Sequence, residues 1–276
     1  MYSEIILTSL VFLLQVLITY SLSESKCNFN LAVIASAGEK NSSGDAESKV
    51  KTEGSDHIEY NKNEYFVFIA NLDSDEIQMH WLSAGQMPYS SLGAVLKAPQ
   101  LASKKVLMAT NAGMFNPKQA PQGLYVEKGK VLVPLDSSKG LGNFYLKPNG
   151  IFYIDANNEA HIDTTETIGR NNLRLKYATQ SGPMLVINGI IHPGFNKSSV
   201  NKKIRSGVGI INSKRVVFVI SMKEVTFYDF ARVFKELYHC NNALFLDGAI
   251  SEMYLADLNP EQKGGQFGAI ITVEKK

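Results

Sequence analysis

The segment Phe245-Leu246-Asp247-Gly248-Ala249-Ile250-Ser251-Glu252 carries the densest chemistry in the chain. An apolar run stops on a carboxylate, a glycine lets the backbone turn, and a hydroxyl and a second carboxylate follow. A strand that ends this way exposes its carboxylate where loops build active sites. Taken alone, Asp247 reads better as a turn aspartate serving structure only. The nearby Glu252, with Ser251 between, favours chemistry, because two carboxyls whose pKa values are pushed apart can divide acid, base and nucleophile roles. Two other segments pass from an apolar or mixed run into amide, hydroxyl and glycine: Leu107 to Gly113, with Asn111 at its end, and Tyr177 to Pro183, with Gln180, Ser181 and Gly182. Gly113 permits close backbone approach to a ligand, and Asn111 can both donate and accept. Gln180, Ser181 and Gly182 could supply donors to an oxyanion. Ser181 lacks the G-x-S-x-G elbow, and His192 in Ile191-His-Pro-Gly194 reads as a turn residue rather than its base. Arg205, just before the run Gly207–Ile211, is the candidate for holding a phosphate, since a guanidinium fork matches phosphate oxygens bidentately. An ordinary solvated arginine is the plain alternative there. The histidines His57, His80, His161, His192 and His239 lack metal-ligand spacing, so neither an obligatory metal nor another cofactor is expected.

Those residues need a scaffold. The chain has 276 residues, 45% hydrophobic and 20% charged, with a net charge of +2. That composition is globular and long enough for a sizeable core. It gives no electrostatic footprint for nucleic acid, and no Lys/Arg run exceeds two residues. Ile5–Tyr20 is a near-continuous apolar run followed by Ser21-Leu22-Ser23. It is shorter than the roughly 20 residues of a membrane span and ends in a small-x-small pattern. Residues 1–23 are therefore expected to be a secretory signal, although Glu4 and the absence of Lys or Arg are atypical; a retained anchor is the alternative and the only membrane contact expected. The product would be exported, periplasmic or secreted. No lipobox precedes Cys27. Cys27 and Cys240 could pair in an exported protein, but two unpaired thiols, with Cys240 packed as a small apolar residue, is the reading favoured.

Residues 24–63 are expected to be a polar linker, low in apolar content from Ser36 onward. Organised sequence is expected from Glu64, giving a single domain over 64–276. Tyr65–Ala70 and Glu76–Trp81 flank a turn-rich break and read as a hairpin. Ser91–Ala102 has helical character. Short β-type runs follow, Asn143–Leu146 and Phe267–Val273 among them, and Asn188-Gly189 is a strong hairpin turn signal. One long amphipathic helix is expected after Thr226, which has capping-box spacing to Asp229, with Phe227, Phe230, Ala231, Phe234, Leu237 and Tyr238 on one stripe. The sum is an α+β fold with mostly antiparallel sheet and a few packed helices.

In combination, Thr110-Asn-Ala-Gly-Met-Phe115, Gly123-Leu-Tyr-Val126, Asn143-Phe-Tyr-Leu146, Lys147-Pro-Asn-Gly-Ile-Phe152, Ala178-Thr-Gln-Ser-Gly-Pro183, Arg205-Ser-Gly-Val-Gly209, Val225–Phe230 and Asn242–Ala249 resemble the phosphodiester glycosidase (NAGPA) family over residues 64–274. Departures are Ala112 where glycine is expected, Ser206 where asparagine is frequent, and Ala249 for glycine or serine. None removes a charged group. The resemblance implies hydrolysis of the C1–O bond of a sugar-1-phosphodiester, which leaves a phosphomonoester. A phosphate leaving group needs little protonation, so one carboxylate and one cation could suffice, unlike ordinary glycosidases. On this reading Arg205 clamps the phosphate. Asp247 stabilises the oxocarbenium-like centre or activates water, with Glu252 as its competitor, and Asn111, Gly113, Gln180, Ser181, Gly182 and Ser251 bind substrate. The alternatives are a non-catalytic glycan- or phosphoglycan-binding module and a metal-dependent phosphodiesterase that cuts P–O.

Overall fold

The computed structural model describes residues 51–170, 174–248 and 250–276. Three antiparallel sheets share one interior. The largest has seven strands: β1 (Gly54–Tyr60), β2 (Asn63–Asn71), β10 (Met184–Ile187), β11 (Ile190–Ile191), β12 (Ser206–Asn212), β13 (Arg215–Ser221) and β14 (Asn242–Asp247), in the order β1-β2-β13-β12-β14-β10-β11. A four-stranded sheet runs β15-β4-β16-β3, from β3 (Asp75–His80), β4 (Val106–Asn111), β15 (Met253–Leu255) and β16 (Ile270–Lys275). A five-stranded sheet runs β6-β5-β9-β7-β8, from β5 (Tyr125–Glu127), β6 (Lys130–Val133), β7 (Gly150–Asp155), β8 (Ala160–Thr164) and β9 (Leu175–Ser181).

The side-chain alternation of each strand explains the stacking. On β2, Phe68 and Ala70 face the common interior while Tyr65, Val67 and Ile69 face the opposite side. β13 repeats this with Val216, Phe218 and Ile220 inward and Val217 and Val219 outward. Both faces are covered, so these strands read as unbroken apolar runs rather than as alternation. Helix α3 (Phe227–Arg232) and the wider turn Val233–Leu237 cover the outer face, burying Phe230 and Phe234 there. Thr226 caps α3 by accepting from the Asp229 N–H, as its spacing predicts, and His239 at a φ of 51° turns the chain away. Helix α1 (Leu92–Leu96), capped by Ser91, covers the four-stranded sheet with Leu92 and Val95; helix α2 (Thr165–Ile168) sets Ile168 on the five-stranded one.

The expected α+β class holds, and Asn188-Gly189 turns β10 into β11 with φ of 49° and 76°. Four local expectations are corrected. Tyr65–Ala70 and Glu76–Trp81 do not form a hairpin: β2 pairs with β1 and β13, whereas β3 pairs with β16. The break between them is a corner at which the chain changes sheet, held by Asp75, which accepts from the Asn71 N–H and takes the Lys275 ammonium at 2.9 Å. Gly54–Tyr60 is a strand within the stretch read as linker; its few apolar residues suffice because it is an edge strand paired along its length with β2. Asn143–Tyr145 is a 3₁₀ turn rather than a strand, entered through Gly142 at a φ of 88°. The last strand begins at Ile270 rather than Phe267, because Gly268 passes too close to Phe115 for regular pairing: a Cβ there would lie 2.6 Å from Phe115 Cβ. The apolar run Ile5–Tyr20, residues 24–50 and Cys27 lie outside the described residues. Among those described, no helix is long and apolar enough to cross a membrane.

Candidate active site

Strands from two sheets converge at one point. β14 ends on Asp247, which sits opposite Ser206 at the start of β12, and β4 of the neighbouring sheet ends on Asn111. Asn111 is buried, and its side chain joins the sheets: Nδ2 donates to Ser206 Oγ at 3.1 Å, while Oδ1 receives the Glu252 N–H at 3.4 Å. Ser206 Oγ lies 2.8 Å from Ser251 Oγ, and Ser251 donates to the Asp247 carbonyl at 2.5 Å. Thr110 Oγ1 donates to the Glu252 carbonyl at 2.8 Å. This network folds the segment after Asp247 back on itself. Asp247 Oδ1 accepts the Gly248 N–H at 2.6 Å, which fixes the carboxylate at the strand end.

Arg205 is buried at 1% exposure and points into the same region. Its guanidinium stacks on Phe227 with the central carbon 3.6 Å from the ring centroid. Nε donates to the Val225 carbonyl at 2.9 Å and Nη2 to the Asn201 carbonyl at 3.1 Å. Burial pulls its pKa down to about 10, so it is still cationic at neutral pH. Of five N–H donors, these bonds use two. Arg205 lines a cavity of about 390 Å³ with Asp247, Gly248, Lys203, Asn201, Asn143 and Met114.

Glu252 lines a second, larger cleft of about 1160 Å³ with Ser90, Lys118, Gln119, Ile204, Ile250, Ser251 and Gln266. Its Oε2 is buried without a hydrogen-bond partner among the described residues. Such an atom is costly to leave unmatched and is satisfied when a ligand brings a hydroxyl. The missing side chain of Gly264 makes room beside it, since a Cβ there would lie 3.1 Å from Oε2.

Asp247, Glu252, Arg205, Asn111 and Ser251, all read from the sequence, thus belong to one neighbourhood. Gln180, Ser181, Gly182 and Gly113 do not contribute functional groups to it. Gln180 is buried and its amide is consumed internally: Oε1 accepts from the Leu124 and Asp136 N–H groups, and Nε2 donates to the Asp136 carbonyl at 2.6 Å. Ser181 Oγ donates to the Leu246 carbonyl at 2.9 Å, tying β9 to β14. A Cβ on Gly113 would lie 2.2 Å from the Gln180 carbonyl, and one on Gly182 2.7 Å from the Phe144 carbonyl. Those glycines serve packing between strands. Sequence reasoning missed Lys203, Asn201, Asn143 and Lys118. Lys203 and Asn201 lie in the polar stretch before Arg205 and Lys118 in the loop after Asn111, with no pattern beyond that proximity; Asn143, on the 3₁₀ turn, stood only within a motif of the resemblance.

Asp155, Glu159 and His161, at the β7–β8 turn, have ligand-type atoms within 4.8 Å of one another. Asp155 Oδ1 already accepts the Asn157 and Glu159 N–H groups, Lys214 lies 3.6 Å from Glu159, and none of the three lines either cleft. Cys240 is a buried thiol whose pKa burial pushes up to about 12, which makes it inert at neutral pH.

Residues 104–272 match the family model described as phosphodiester glycosidase. The uncharacterized protein YigE of Escherichia coli K12 is 35% identical over 211 residues, spanning 76% of this chain and 81% of that one. Among solved structures, the zebrafish N-acetylglucosamine-1-phosphodiester alpha-N-acetylglucosaminidase catalytic domain, auto-inhibited by its pro-peptide, aligns with a TM-score of 0.54 at 13% identity, covering 80% of this chain and 82% of that one. A putative exported protein of Burkholderia pseudomallei aligns with a TM-score of 0.49 at 10% identity, covering 76% and 74%.

Proposed function

Because the chain belongs to the phosphodiester glycosidase family, we propose that it is an exported hydrolase that cleaves the C1–O bond of a sugar-1-phosphodiester. The observation that carries this reading is the shared cavity of Asp247 and Arg205, a carboxylate and a buried cation side by side. The three unassigned N–H groups of Arg205 and the Lys203 ammonium fit phosphate oxygens. Neutralising that charge makes the phosphate a good leaving group. The C1–O electron pair departs with the phosphate, water supplies hydroxyl to C1, and a phosphomonoester is released. Asp247 stabilises the developing positive charge at C1 or takes the proton of the attacking water. Glu252, with its unmatched oxygen in the adjoining cleft, competes for that role or binds a sugar hydroxyl. Export rests on the apolar N-terminal run alone.

The test is hydrolysis of UDP-N-acetylglucosamine and a panel of sugar-1-phosphodiesters in oxygen-18 water, with chelator in half the samples. The expected result is heavy oxygen in the sugar, with or without chelator. Asp247→Asn, which keeps an oxygen for the Gly248 N–H, should lower kcat by about 10²- to 10⁴-fold without loss of fold. Heavy oxygen in the phosphate would establish a phosphodiesterase instead. Saturable binding without turnover would mark a binding module, and full activity of Asp247→Asn would remove Asp247 from the mechanism.

A further inference from the structure

The rim around the two clefts carries exposed large apolar side chains with lysines between them. Leu141 is 97% exposed and Val200 is 92% exposed, the highest values among the large apolar side chains of the described residues; Ile204 and Ile250 are 39% and 40% exposed. All four lie on the loops that line the clefts. Leu141 is two residues from Asn143 and Val200 one residue from Asn201, and those asparagines line the same cavity, so their loops meet across it. Ile204 and Ile250 line the adjoining cleft. Gly140 and Gly142 flank Leu141, with Gly142 at a φ of 88°, and this tight loop holds the leucine out in solvent. Lysines are interleaved with these side chains: Lys139 precedes Leu141, and Lys202 and Lys203 stand between Val200 and Ile204. Neither Lys139 nor Lys202 forms a salt bridge with a carboxylate among the described residues. Of the acidic groups on these loops, Asp136 is held by Ser138 and by the Tyr145 hydroxyl, Asp247 accepts the Gly248 N–H, and Glu252 lines the larger cleft.

We propose that this rim docks on an anionic phospholipid bilayer, with Leu141 and Val200 entering the interface, Lys139 and Lys202 against the headgroups, and both clefts opening toward the lipid. Isolated exposed apolar residues are ordinary on any surface. Four of them around one opening, interleaved with unpaired lysines, form the pattern that binds interfaces: apolar side chains insert below the headgroups and cations stay among the phosphates. The inference stands on surface chemistry and holds whether or not the clefts hydrolyse a sugar phosphodiester.

The experiment is site-resolved, so a membrane-active N-terminal run cannot imitate the result. In a full-length Cys27→Ser chain, where the buried Cys240 stays unlabelled, Leu141→Cys, Val200→Cys and a control Ile190→Cys are each coupled to a polarity-sensitive fluorophore. Ile190 is 64% exposed but lies on β11 at the sheet edge and lines neither cleft. Vesicles of phosphatidylcholine containing phosphatidylglycerol should raise emission at positions 141 and 200 about two-fold or more, with a blue shift, and leave 190 unchanged. Added salt should weaken the response. No change at 141 and 200, an equal change at 190, or an equal response to pure phosphatidylcholine overturns the proposal.

Discussion

Arg205 and Gln180 are both buried polar residues at a strand end, yet they have opposite functional standing. Arg205 spends two donors on carbonyls and stacks on Phe227, which leaves donors for an anion. Gln180 spends both ends of its amide inside the protein, on Leu124 and Asp136. In a sequence the two look alike, because a polar residue at the edge of a strand does not say whether its partner is a ligand or a neighbouring backbone. Asp247 and Glu252 stood out because an apolar run stops on a carboxylate, with glycine, a hydroxyl and a second carboxylate following. The distinction has a measurable consequence. Gln180→Ala should lower unfolding free energy by about 2–4 kcal/mol, since the Leu124 and Asp136 N–H groups and the Asp136 carbonyl lose partners together. It should leave the KM of the folded enzyme nearly unchanged. Urea unfolding beside steady-state kinetics checks both halves, and a raised KM with intact stability would return Gln180 to the binding site.

At the scale of the element, most strands of the seven- and five-stranded sheets were readable as apolar runs, and α3 from its cap and stripe. What escaped was pairing. β2 and β3 are adjacent in sequence but belong to different sheets, because each has a better apolar face to bury elsewhere. β9 escaped because Thr179, Gln180 and Ser181 are polar yet buried. The four-stranded sheet also hides an ionisable pair. His80 on β3 is buried, with Nε2 2.8 Å from Thr272 Oγ1 and 3.9 Å from Glu274 Oε1 on β16. Burial, with the nearby Lys128 charge, lowers the His80 pKa from 6.5 to about 4. The folded chain therefore keeps His80 neutral where the unfolded chain protonates it. Its contribution is fully present above 6.5, and about 3 kcal/mol of it is lost as pH falls toward 4. Burial raises the Glu274 pKa, which acts in the opposite direction: that carboxyl favours the folded state in acid and loses this contribution as pH rises. His80→Gln can keep the bond to Thr272 but cannot titrate. Urea unfolding between pH 7 and 4 should show a flattened acid limb for the variant; an unchanged slope would place the acid sensitivity elsewhere.

Over the whole molecule, the candidate site is assembled only when two sheets are docked, since Asn111 arrives from one and Ser206, Arg205 and Asp247 from the other or from the loop leading into it. The common interior enforces this docking. It joins Phe68 and Phe218 of the seven-stranded sheet, Met79 and Ile271 of the four-stranded sheet, and Phe152 and Tyr177 of the five-stranded sheet in one cluster. Three sheets with a shared interior cannot come apart singly without exposing it, so they should unfold as one unit. Trp81, the sole tryptophan, reports on a junction beside the larger cleft: its ring meets Tyr125 edge-on at 6.1 Å and its indole N–H donates to the carbonyl of Gln119, which lines that cleft. Its emission and the hydrolysis proposed above should therefore be lost at one urea midpoint. Phe152→Ala removes the edge-on contact with Phe218 at 5.9 Å and should cost about 3–5 kcal/mol. It should move both midpoints together and leave the kcat of folded enzyme near wild type. Separate midpoints would mean that the sheet bearing Trp81 unfolds independently of the strands that carry Arg205 and Asp247.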